Sequence, residues 1–179
     1  MHGQMLPPYD SAATLERLAQ LIGQTAAREV WCLGDSFHDD DGATRMPDMP
    51  GALLARLTAE TSWHWITGNH DEHLPAGIGG RILTDAVLDG LVLRHQADVE
   101  ETAPELSGHY HPKHRVAVRG KTIHRPCFVA TATKLILPAF GALTGGLSAD
   151  HPEIRAVLGV NATALVPAAN RLLRFPLSV

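Results

Sequence analysis

Three features of the sequence predict an α/β fold. Helical and strand-like segments alternate through the first half, strand, loop, helix and strand in turn. Short strand-like runs dominate the second half. Polar clusters containing Gly, Asp, Asn or His follow the apolar runs directly, as loops do at the carboxyl ends of strands. The 179 residues are 45% hydrophobic and 19% charged, enough apolar material for a core and too much for a disordered chain. With no repeat and no convincing linker, residues 1–179 read as a single domain with a strand-rich C-terminal half.

The elements follow in order. Residues 1–10 form a leader stiffened by Pro7-Pro8. Ser11 or Asp10 then caps a helix whose Leu15, Leu18, Leu21 and Ile22 keep helical spacing. The run EVWCLG (29–34) reads as a buried strand ending at a glycine, followed by the acid-rich loop DSFHDDDGATRM. A helix over 50–60 carries Leu53, Leu54 and Leu57, and SWHWITG (62–68) is the next strand. Asp89-Gly90 is a favoured two-residue turn between the apolar runs of RILTDAVLDGLVLRH. Further short strands follow GHYHPKH, separated by RGK and TATK. Asp150 is placed to cap a helix over 151–159 that Gly159 stops, and TALVP with RLLRFPL forms a closing hairpin around Ala168-Ala169-Asn170.

Composition removes several functions. No apolar run reaches the ~18–20 residues that cross a bilayer, and the start lacks a basic segment followed by an apolar one, so a cytoplasmic protein without a signal peptide is expected. A net charge of −4 argues against nucleic-acid binding by bulk electrostatics, although metal ions in a pocket can supply positive charge locally. Cys32 and Cys127 sit in apolar strings, form no C-x-x-C pair and read as buried thiols. The G-x-S-x-G, H-E-x-x-H and Walker patterns are absent.

Eleven histidines are the unusual entry in the composition. Gly34-Asp35, Gly68-Asn69-His70-Asp71, His95 and Gly108-His109-Tyr110-His111 each follow a strand-like run or lie at a predicted strand end. Asp, Asn and His are metal-ligand types, and a mixed oxygen and nitrogen set suits Mn, Fe or Zn. His109 and His111, two apart in a segment read as extended, are expected to project to one side, with Tyr110 turned into packing.

The order G-D, G-N-H-D, H, G-H-x-H resembles the calcineurin-like metallophosphoesterase superfamily across nearly the whole chain. LPPYD, CLGDSFHD, TGNHDEHLP, SGHYHPKH and LILPAFGALTGG are similar, more narrowly, to its bacterial DNA-ligase-associated subfamily, described as a DNA-damage-response endonuclease or phosphoesterase. The resemblance implies a layered β-sandwich flanked by helices, and hydrolysis of a phosphate ester, such as a phosphodiester in nucleic acid, by a metal-activated hydroxide. It implies two divalent ions, Mn foremost with Fe or Zn as alternatives, and DNA repair proteins (ligase or helicase) as partners. Asp35 is expected to bridge the metals, with Asn69, His95 and His109 completing the second site and His111 serving the first. His70 is expected at the leaving-group oxygen, oriented by Asp71, with His38 and His73 near the substrate.

The pattern lacks one part. No D-x-H precedes Gly34-Asp35; only His2 and Asp10 stand there, in the wrong order and spacing. The resemblance therefore implies a missing first strand, a chain holding only one ion tightly, and a natural start upstream of Met1. A metal-deficient relative that binds a repair assembly without catalysis is the alternative reading.

Overall fold

The computed structural model describes residues 9–39, 41–118, 120–141, 144–159 and 161–177. The Pro7-Pro8 leader, His2, Asp40 and the Asp10 side chain lie outside that description. The chain divides into two compact units, Met1–Thr84 with Phe140–Thr144, and Asp85–Ala139 with Gly145–Val179.

In the first unit, helix α1 spans Tyr9–Thr25. Leu15 is buried and Leu18 and Ile22 pack beside it, whereas Leu21 is exposed because it falls off that stripe. Ser11 lies inside the helix instead of capping it. Hydroxyl and acidic residues suit the first turn as well as the cap, so residue type alone did not locate the start. Strands β1 (Glu29–Leu33) and β2 (Ser62–Ile66) are parallel, with Cys32 opposite Trp65. Strand β3 (Arg81–Leu83) continues the parallel sheet beyond β2. The central β2 is buried from Trp63 to Ile66, while β1, an edge strand, is only half-buried where a fully buried strand was expected. Helix α2 (Asp48–Glu60) begins two residues before the predicted start, behind Pro47, and buries Leu54 and Leu57 against the tryptophans. Each such leucine contributes roughly 1.5–3 kcal/mol.

The second unit contains a seven-stranded sheet. Strands β4 (Asp85–Leu88) and β5 (Leu91–Arg94) form a hairpin through Asp89 and Gly90, both at positive φ as the two-residue turn requires. The run 81–94 is thus divided at Thr84, its first strand pairing with β2 and its last two with each other. Strand β6 (Glu105–Ser107) lies parallel to β5 and β10 (Lys134–Ile136), and β9 (Phe128–Ala130) is antiparallel to β10. Strands β7 (Lys113–Val118) and β8 (Lys121–Pro126) form a separate two-stranded ribbon. Helix α3 (Pro152–Leu158) is capped by His151, whose ring accepts from the Glu153 N–H, and not by Asp150. Pro152 occupies the first turn, where its fixed φ suits the helix and its missing N–H costs nothing. Gly159 ends the helix as expected, and β11 (Thr163–Ala168) and β12 (Arg171–Pro176) form the predicted closing hairpin. Cys127, Val129, Ile136, Ile154 and Ala164 make the core, with Tyr110 packed among them. Among the described residues no helix is long and apolar enough to cross a membrane.

Candidate metal centre

Strands β1 and β2 of the first unit each lead into a polar loop that begins within two residues of the strand end. After β1, Gly34 and Asp35 take positive φ, 82° and 50°. After β2 the chain runs through Gly68, Asn69, His70 and Asp71. The Asp71 carboxylate is completely buried and ties the two loops together. One of its oxygens accepts from the Asp35 N–H at 3.0 Å and the Gly68 N–H at 2.7 Å, and the other accepts from the Ser36 N–H at 2.7 Å. The Asp35 carboxylate in turn accepts from the His70 N–H at 3.0 Å. Gly68 permits this closeness: a Cβ there would lie 2.2 Å from an Asp35 carboxylate oxygen and 2.5 Å from its nitrogen. Asp71 thus acts as a backbone brace, its oxygens engaged by three N–H groups. Asn69 and His70 are exposed beside this knot, as are His38 and His73 further along their loops.

In the second unit, His95 follows β5 and is buried. Its Nε2 lies 3.0 Å from Nδ1 of His109, with the rings nearly perpendicular at 84°. The Gly108 N–H donates to the His95 carbonyl at 2.8 Å, fastening the two loops. Tyr110 is turned into the core as predicted, its ring edge against His109. His109 and His111 are not in an extended segment: their φ values are 67° and 46°. The Tyr110 N–H closes a tight turn onto the Gly108 carbonyl at 2.8 Å, and Leu147 donates to the Tyr110 carbonyl at 3.1 Å. Gly146 passes so close that a Cβ would lie 2.1 Å from the His111 carbonyl. The left-handed backbone at both histidines is therefore imposed by neighbouring chain.

A buried ion pair absent from the sequence reading supports the His95 loop. Lys134 donates to the Glu105 carboxylate at 3.2 Å, to the Glu101 carbonyl at 3.0 Å and to the Asp98 carbonyl. Arg94 reaches Asp98 at 3.0 Å and Glu101 at 3.3 Å. The Glu100 N–H, with help from Arg94, holds the Asp98 carboxyl below its ordinary range. The signal available in sequence was a lysine opening the apolar run LILP. In the acid-rich loop, Asp39 pairs with Arg45 at 2.7 Å, and hydrogen bonding from that guanidinium lowers its pKa, while Asp41 is well exposed.

Asp35 of the first unit offers a carboxylate oxygen, and His95 and His109 of the second offer imidazole nitrogens, all donor types that suit a divalent metal. Two imidazole nitrogens facing each other at 3.0 Å suit such a role. No family model and no curated protein matches the chain. Among solved structures, a nuclease of Pseudomonas putida named MPE is similar, at a TM-score of 0.73 and 27% identity, over 97% of this chain and 82% of that one. The mixed α/β architecture is thus of the metallophosphoesterase-like kind, shared with a nuclease.

Proposed function

We propose that the chain is a metal-dependent phosphoesterase acting on phosphodiesters of nucleic acid, its two units making one calcineurin-like metallophosphoesterase domain. The reading is carried by one observation, a carboxylate and two histidines of metal-ligand type at strand ends of a fold shared with a nuclease. Asp35, His95 and His109 would hold a divalent ion, manganese in our reading, with Asn69 as a further oxygen donor and His111 serving a second ion. Such ions supply charge neutralisation at the phosphoryl group and acidify bound water.

The protein's own groups do the remainder. Asp71 and Gly68 hold the Asp35 backbone in its left-handed conformation, which aims the carboxylate. The His70 N–H restrains that carboxylate through its bond to one oxygen. The exposed His70 ring would donate a proton to the departing oxygen, a contribution of typically 10²–10⁴-fold. His38 and His73, both exposed, would flank the substrate. DNA repair is the process this reading favours, in the cytoplasm and alongside ligase or helicase partners.

Hydrolysis of bis(p-nitrophenyl) phosphate with and without Mn²⁺ tests the proposal. Metal-dependent turnover that disappears in Asp35→Ala and Asn69→Ala is expected, together with a drop in bound metal in Asp35→Ala. Turnover indifferent to both substitutions would overturn it.

A further inference from the structure

The β7–β8 ribbon has a charge distribution that the proposed chemistry does not use. The fourteen residues 113–126, KHRVAVRGKTIHRP, contain five of the chain's fifteen Lys and Arg, two histidines, and none of its nineteen Asp and Glu. This concentration sits in a protein whose net charge is −4. Every residue of β8 is exposed, as is Arg115 on β7. Among the described residues no carboxylate pairs with Arg115, Lys121 or Arg125, whereas Arg45 pairs with Asp39 and Arg56 with Glu60; what sets the ribbon apart is the clustering of its cations without an acid among them.

The ribbon is fixed at its base and open beyond it. The His114 ring rests on Phe175, Val116 packs at the margin of the core, and Lys113 exchanges backbone hydrogen bonds with Leu147 and Ala149. Register places Arg115 opposite His124 and His114 opposite Arg125, so cations lie on both faces. Six residues per strand extend about 20 Å. The ribbon also grows out of the histidine turn, since β7 begins two residues after His111.

We infer that the β7–β8 ribbon is a nucleic-acid grip, with Arg115, Lys121 and Arg125 contacting backbone phosphates outside the metal centre. An unneutralised cationic ribbon is matched by a polyanion with repeating charge, and a two-stranded ribbon is a shape that a DNA groove admits. Net charge argued against bulk electrostatic binding; a local patch supplies it without a basic protein. The choice of polyanion rests on the phosphoesterase reading. The presence of the patch does not.

Binding of a fluorescent 20-nucleotide DNA, single-stranded and as a duplex, is measured in EDTA between 50 and 200 mM NaCl. Arg115→Ala/Lys121→Ala/Arg125→Ala is expected to weaken binding at 50 mM salt by about tenfold or more, and to reduce the log–log salt slope by about 2–3. The charge-conserving Arg115→Lys/Lys121→Arg/Arg125→Lys should bind as wild type, which separates charge from folding. No binding by wild type, an unchanged slope in the alanine variant, or equal loss in the charge-conserving variant would each overturn the inference. An unchanged slope is the result expected if the charges only guard an exposed strand edge or meet an acidic protein. The two readings fail separately: salt-dependent binding through the ribbon by a protein that hydrolyses no phosphodiester with Mn²⁺ keeps the grip and removes the hydrolase.

Discussion

Asp71→Asn tests whether this carboxylate braces the backbone or serves His70. In the wild type one oxygen accepts from Asp35 and Gly68 and the other from Ser36, at 3.0, 2.7 and 2.7 Å. An asparagine can keep the first oxygen and its two bonds. Its amide then takes the place of the second oxygen and confronts the Ser36 N–H, donor against donor. A hydrogen bond to a charged acceptor is worth about 1.5–3 kcal/mol, and an unsatisfied buried donor costs about 1–3 kcal/mol. Ser36 is exposed, so water recovers part of its loss, whereas the buried amide of residue 71 recovers little. A net cost of about 2–3 kcal/mol follows, equivalent to a fall in Tm of roughly 4–12 °C for a domain of this size. The assay is thermal and urea denaturation in EDTA, with an unchanged urea m value showing that the unfolded state is not the cause. A fall below ~2 °C, combined with a displaced pH profile for hydrolysis, would refute the brace and return Asp71 to an orienting role at His70.

Other perturbations bear on the same scaffold. Lys134→Met strands Glu105, which is 1% exposed, and should cost about 3–5 kcal/mol in urea denaturation, with Lys134→Met/Glu105→Gln recovering part of it. Equal stability of the single variant and wild type would show that the ion pair bears no strain. Cys127 is fully buried and burial pushes its thiol up to about 12, so an aromatic disulfide reagent at pH 8 should label it only after urea is added. Rapid labelling of Cys127 in the native protein contradicts that. Burial against β12 lowers the His114 pKa below its ordinary 6.5, with Asp150 opposing the shift. As pH falls, the unfolded chain therefore takes up this proton first, and stability should drop from about pH 7 until the pH passes below the folded value. His114→Gln should flatten that part of a stability–pH curve, and an identical slope in the variant argues against the assignment.

Much of the scaffold is legible because its signals are local. The Asp89-Gly90 turn, the Gly159 helix stop and the α2 leucines depend on neighbours within a few positions, which sequence displays directly. The chemistry-bearing types at strand ends were readable for the same reason. What escaped depends on distance. Asp71 adjoins His70, and the resemblance implies that it orients that ring. Its carboxylate also reaches back 35 and 36 positions to the N–H groups of Ser36 and Asp35, which no local spacing displays. Lys134 and Glu105 are 29 positions apart, so neither announces the other. The spacing of His109 and His111 suits a strand, and only the contact with Gly146 reveals why the backbone turns left-handed there.

Three of the expected ligands share a costly backbone conformation. Asp35, His109 and His111 all have positive φ without being glycine, a state that costs of order 1–3 kcal/mol each and persists only where surrounding structure enforces it. Enforcement is visible at each: the Asp71 carboxylate and Gly68 at Asp35, the His95 carbonyl through Gly108 at His109, and Gly146 with Leu147 at His111. Alanine at position 68 or 146 would leave the ligand types intact and remove the room that lets them adopt these angles. Glycines that offer no donor atom therefore matter to the proposed site, because their closeness to Asp35 and His111 determines where that carboxylate and that ring can be held. The same reasoning explains why a polar motif in this chain includes its glycines: the proposed chemistry would need the side chains of Asp, Asn and His, and the geometry needs a neighbour with none.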